Sequence, residues 1–333
     1  MDNTILLSIV AVIGGLVLLV WGADRFVHGA AATARNLGVS PLVIGLTIVG
    51  IGTSAPEILI SVIAAYEGSP QLAIGNALGS NIANVALVLG TTALVFPLLV
   101  KSDTLRREYP VMFLIMLVAL ALCIDNELGR IDGAILLIGL VLMLAWMVKL
   151  GLRKHEVDPL ETEYEQEIPF MSNGKALFWL VVGMVLLLVS SRTLVWGAVN
   201  IAHGLGISDL VIGLTIVAIG TSLPELAASV MSALKGEPDI ALGNVIGSNM
   251  FNMLAVFGIP GLMAPHVLDP EVLNRDFPFM IGFSIALFIM AYGFKGHGKI
   301  NRIEGSLLLI GYAAYMCVLY FSATANTTGV PHG

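Results

Sequence analysis

The sequence predicts an all-α polytopic membrane protein, with ten transmembrane helices arranged as two inverted five-helix repeats. Three observations lead there: a composition suited to lipid, ten apolar runs long enough to cross a bilayer, and a long internal repeat. Apolar residues make up 57% of the 333 and charged residues only 12%, with a mean hydropathy of +0.92. A soluble domain usually carries about 25% charged residues, so half that level points to a chain dissolved in lipid. The net charge of −7 offers no basic patch for nucleic acid. Much of it sits in one central polar segment, at Glu156, Asp158, Glu161, Glu163, Glu165 and Glu167. Cys123 and Cys317 are too far apart in sequence to suggest a disulfide framework or a metal site.

A helix crossing about 30 Å of hydrocarbon needs about 20 apolar residues. Ten segments qualify, near 4–24, 41–66, 71–99, 108–124, 131–150, 175–200, 209–234, 239–264, 277–294 and 303–322. The first lacks a basic leader and a cleavage signal, so it reads as a retained span. With the N-terminus outside, thirteen Lys and Arg fall on the inner side, from Arg25 and Arg35 through Arg302. Only Arg130, Arg192 and Arg275 remain outside. That asymmetry predicts both termini outside and the acidic linker inside. Trp21, Trp146, Trp179 and Trp196 fall near span ends, as interface anchors do.

Residues 43–90 align without a gap to residues 211–258, with 27 of 48 positions identical at a constant offset of 168. Pro110 and Pro278 keep that offset, and RIDGAILLIG at 130–139 matches RIEGSLLLIG at 302–311. The predicted organisation is therefore a first repeat over 1–150, a linker over 151–174, a second repeat over 175–322 and a tail over 323–333. Five spans per unit is odd, so the second copy must cross the membrane in the opposite sense. Inverted repeats of this kind hold substrate near the midplane, where the halves meet.

The repeated segment carries charge where lipid-facing helices cannot. Gly50, Thr53, Ser54, Glu57 and Ser61 share one helical face, and Ala218, Thr221, Ser222, Glu225 and Ser229 repeat it. The following spans add Asn76, Ser80 and Asn84, and Asn244, Ser248 and Asn252, each at i, i+4 and i+8. A charge near the bilayer centre costs at least about 2.5–3.5 kcal/mol, so two glutamates at equivalent places argue for a site. The oxygen donors suit hard cations such as Ca²⁺, and no His or Cys lies in these stripes to favour a softer metal. Pro56 and Pro224 each remove a helical donor, leaving the Gly52 and Gly220 carbonyls available to a cation. GNALG at 75–79 and GNVIG at 243–247 have the spacing that lets helix backbones approach closely. Ser54 and Ser222 are competing candidates for nucleophilic chemistry, but no His or Lys accompanies either, so the chain is read as a non-enzyme.

Paired GTSxPE and GSNxxN motifs resemble the two α-repeats of the calcium/cation antiporter superfamily, above all its small prokaryotic sodium/calcium exchangers. The resemblance covers nearly the whole chain. It implies Na⁺-driven Ca²⁺ exchange by alternating access in a prokaryotic inner membrane, with Ca²⁺ and Na⁺ as substrates, the bilayer as environment and no cofactor. A monomer is the working expectation. By motif position it implies Ca²⁺ ligands at Glu57 and Glu225 with the Thr53 and Thr221 carbonyls. Flanking Na⁺ sites would use Ser54, Ser80, Ser222, Ser248 and the carbonyls of Gly50 and Ala218, with Asn84 lining the centre. Some relatives carry Asp where this chain has Asn252, which leaves two central carboxylates rather than three and weakens a K⁺-dependent reading. A Ca²⁺/H⁺ antiporter is the other alternative.

Overall fold

A computed structural model describes residues 3–100, 107–151, 171–205, 218–292 and 298–328. Most of the acidic linker, the start of the seventh predicted span and the last five residues lie outside these. The described chain is mostly helical. In order it forms α1 (Asn3–Leu37), α2 (Pro41–Tyr66), α3 (Pro70–Val95), α4 (Glu108–Leu122), α5 (Arg130–Gly151) and α6 (Asn173–Gly204). These are followed by α7 (Leu223–Leu234), α8 (Pro238–Met263), α9 (Val272–Ala291) and α10 (Arg302–Thr328). Eight of these are long and apolar enough to cross a membrane; α4 and α7 are shorter apolar helices.

Two predicted boundaries move. The first span was expected to stop near residue 24, yet α1 continues to Leu37 through an alanine-rich segment. It ends where Gly38 takes a positive φ of 64° and its N–H returns to the Arg35 carbonyl. The charged residues near residue 24 are met by neighbours in the fold. Asp24 meets Lys235 at 2.6 Å, and the Arg25 guanidinium lies 5.9 Å from the Trp21 ring and 5.1 Å from that of Trp179. At 35 residues and about 1.5 Å per residue, α1 is longer than the hydrocarbon is thick. At the other end, α10 runs to Thr328, into what was expected to be tail.

Burial sorts the helices into layers. The apolar stretch of α8 is wholly buried and that of α3 is 72% buried, whereas those of α1, α5, α6 and α10 are 22–28% buried. The Gly- and Asn-rich helices thus form the centre, and the aliphatic ones face lipid. Outside this centre, α1 and α6 pack antiparallel along their length. Gly22 sits against Leu186 and Leu187, Gly29 against Ala176 and Leu180, and Gly183 against the backbone of Phe26. A side chain at these positions would separate the two helices.

Two short antiparallel strand pairs tie the halves together. β1 (Leu98–Val100) pairs with β4 (Gly298–Ile300), placing Leu98 opposite Ile300, and β2 (Glu127–Leu128) pairs with β3 (His266–Val267). Each pair takes one strand from each half of the sequence.

Candidate cation-binding site

The repeat extends into an unusual local geometry. α3 opens into a π-helical stretch at Asn84–Leu89, and α8 does the same at Asn252–Val256. Both stretches begin on the last Asn of GSNxxN, and a third, Gly45–Val49, lies in α2 one turn before Thr53. π-turns inside α-helices recur at functional sites because they re-aim side chains.

Glu57 and Glu225 are each 1% exposed, at the heart of the bundle. They are close enough for the charge on Glu57 to act on Glu225 across the two halves. Thr53 Oγ1 lies 3.0 Å from Asn244 Oδ1, 3.1 Å from the Val49 carbonyl and 3.3 Å from Ser248 Oγ. One hydroxyl proton thus faces several acceptors. Ser54, Ser80, Ser222, Ser248, Asn84 and Asn252 are all buried, while Thr221 is half-buried. Gly50 packs its Cα against the backbone of Gly247 and Ser248, and Ala218 opens a short helical turn, Ala218–Thr221, ahead of α7.

Buried polar atoms are normally paired, and leaving one unpaired costs about 1–3 kcal/mol. Six of the buried oxygens without a protein partner are Ser54 Oγ, Glu57 Oε2, Asn84 Oδ1, Ser222 Oγ, Glu225 Oε2 and Asn252 Oδ1; Asn81 Oδ1 is another. All six belong to residues that the sequence marked as candidates, and they come in repeat-related pairs. Such a set fits a hard cation, which takes several oxygen ligands at once. Among the described residues no group of three His, Cys, Asp or Glu comes together, so two carboxylates are the anionic complement.

The freed carbonyls behave differently from expectation on one side. Gly220 accepts a hydrogen bond from Ser191 Oγ at 3.0 Å, so α6 supplies the donor that Pro224 removes. Two residues with a clear role were motif letters without an assigned function. Asn84 Nδ2 donates to Asn249 Oδ1 at 3.0 Å, which leaves the Asn84 Oδ1 directed elsewhere, and Asn81 Nδ2 donates to the Asn249 carbonyl at 3.4 Å. Their identity in both repeats was the available signal.

The sodium/calcium exchanger protein family model matches residues 7–149 and 175–321, nearly the whole of both halves. The chain belongs to the sodium/calcium exchanger family. With it comes membership of the calcium/cation antiporter superfamily, whose members are transporters rather than enzymes. The inner membrane protein YrbG of Escherichia coli K12 is 41% identical over 95% of this chain and 98% of its own length. The sodium/calcium exchanger MaX1 of Methanosarcina acetivorans is 34% identical over 92% of this chain and 97% of its own. Among solved structures, the sodium-calcium exchanger NCX_Mj superposes with a TM-score of 0.81 at 36% identity, covering 95% of this chain and 99% of that one. This exchanger-family chain is therefore a membrane protein over its whole matched length.

Proposed function

We propose that the chain exchanges Na⁺ for Ca²⁺ by alternating access, with Glu57 and Glu225 as the central ligands. The observation that supports this most is the set of six unpartnered buried oxygens drawn equally from the two halves. In this reading Ca²⁺ takes the two carboxylates with the Thr53 and Thr221 carbonyls. Na⁺ takes flanking positions at Ser54, Ser80, Ser222, Ser248 and the Gly50 and Ala218 carbonyls, and Asn84 and Asn252 line the centre. Two carboxylates balance one Ca²⁺ or two Na⁺, so each further Na⁺ carries net charge and the cycle is electrogenic. Ten spans in two inverted repeats, both termini outside, give one site that can open to either face.

The test is Ca²⁺ uptake into proteoliposomes. An outward-directed Na⁺ gradient should drive radiolabelled Ca²⁺ inward, and the resulting charge movement should respond to a clamped membrane potential. Glu57→Gln and Glu225→Gln should each abolish uptake; full activity in either variant would remove that residue from the site. Uptake that follows a pH gradient without Na⁺, or that requires K⁺, would replace Na⁺ as sole driving ion.

A further inference from the structure

The two halves share a repeated sequence but not a hydrogen-bond pattern, and one pair of residues shows the difference plainly. Asn244 on α8 is fully buried and uses both ends of its amide. Its Nδ2 donates to the Glu225 backbone carbonyl at 3.2 Å and to Ser229 Oγ at 2.9 Å, both on α7. Its Oδ1 accepts from Thr53 Oγ1 on α2 at 3.0 Å. One side chain thus bridges the two glutamate-bearing helices. Its repeat counterpart is Asn76 on α3, at the same offset of 168. Asn76 is only half-buried, and its Nδ2 is enclosed without a partner.

The surrounding backbone follows the same division. Gly243 and Gly247, flanking Asn244, lie against the backbone of Leu42, Gly45 and Leu46 in α2. Their counterparts Gly75 and Gly79 are exposed and half-buried respectively. The α8 face is closed on α2, and the α3 face is not packed in the same way among the described residues.

We propose that Asn244 and Asn76 are paired positioning residues, engaged one at a time: Asn244 braces the site in the state seen here, and Asn76 braces it when the access side switches. This inference rests on the alternating-access reading above. At the same offset of 168, the acceptors for Asn76 are the Glu57 carbonyl and Ser61 Oγ, and its donor is Thr221 Oγ1. Ser61 Oγ is donating to the Val256 carbonyl at 2.6 Å, which leaves its lone pairs able to accept from Asn76. The two braces cannot form together if closing one face opens the other, so each stabilises one state against its mirror. Their hydrogen bonds then set the balance between access states rather than the affinity for ions.

Amide hydrogen exchange on the full-length protein, without ion gradients, tests this directly. Residues 41–49, which pack on Gly243 and Gly247, report the state seen here. Asn244→Ala should raise their exchange at least about five-fold, the factor carried by one net hydrogen bond. Asn76→Ala should lower it, because it weakens the competing state. The double variant should return toward wild type, which a packing role for either residue would not produce. Exchange raised by both single variants, unchanged in both, or higher in the double than in Asn244→Ala would overturn the proposal. Wild-type Na⁺-driven uptake is measured separately. If uptake is present and this pattern fails, only the brace is wrong; if uptake is absent, the exchange function fails.

Discussion

The helix pair α2–α3 and the pair α7–α8 share a repeated segment with more than half of its positions identical, and yet they differ locally. α2 runs unbroken through Pro56, whereas the corresponding helix breaks at Ser222, just before Pro224. The Ser222 N–H turns back to the Ile219 carbonyl, three residues earlier rather than four. Similar sequences therefore take unequal shapes, and tertiary neighbours contribute to the difference. Ser191 of α6 reaches the Gly220 carbonyl and stabilises the broken form, while Gly52 of the unbroken helix packs on Met184 and Phe26. Proline permits a break; the neighbour decides whether it opens.

Acid should have the largest effect on transport, and it probes what the two halves share. If Glu57 and Glu225 hold Ca²⁺ as proposed, protons should compete for their carboxylates, and falling pH should lower apparent Ca²⁺ affinity by up to about tenfold per pH unit for each competing proton. Uptake should fall steadily from pH 8 to pH 6; a flat profile would show that neither carboxylate exchanges its cation for a proton.

A smaller effect should separate the halves. At Gly247 an added Cβ would collide with the Leu46 backbone, whereas at Gly79 no described atom lies within 4 Å of one. Gly247→Ala should destabilise by about 1–3 kcal/mol through overpacking, seen as a lower Tm in detergent. Gly79→Ala should leave the Tm within a degree or two of wild type. Equal losses would mean that the two faces are packed alike.

The smallest expected effect concerns the second pair of asparagines. Asn249→Leu removes the acceptor that orients Asn84 and should weaken apparent Ca²⁺ affinity about five-fold, one hydrogen bond's worth. Asn81→Leu loses only a longer bond to a backbone carbonyl and a contact with Met280 Sδ, and should do less. An equal or greater effect at Asn81 would reverse the assignment of roles.

Much of this was readable in the residues. The limits of α2, Pro41 and Tyr66, fall where the apolar run predicts them, and the candidate set contains six of the oxygens that lack a partner, though not Asn81 Oδ1. The length of α1 was not readable, because the partner that neutralises Asp24 is Lys235, more than two hundred residues away. The π-helical stretches left no mark either, since Asn84 and Asn252 begin them in sequences with ordinary helical spacing. Nor could spacing reveal that Asn244 is bonded and Asn76 is not. That distinction belongs to the conformation, and the two sites are spelled the same way.

The strand pairs have a consequence for how the chain is made. β1 and β2 both belong to the first half, and both wait for partners in the second. When the ribosome has delivered the first five helices, Leu98–Val100 and Glu127–Leu128 still have open edges. They are closed only after β3 and β4 emerge, and β4 comes just before the final helix. Assembly of the bundle is thus completed late in synthesis. A chain truncated after the linker would reach the membrane with its helices inserted and both of its clasps undone.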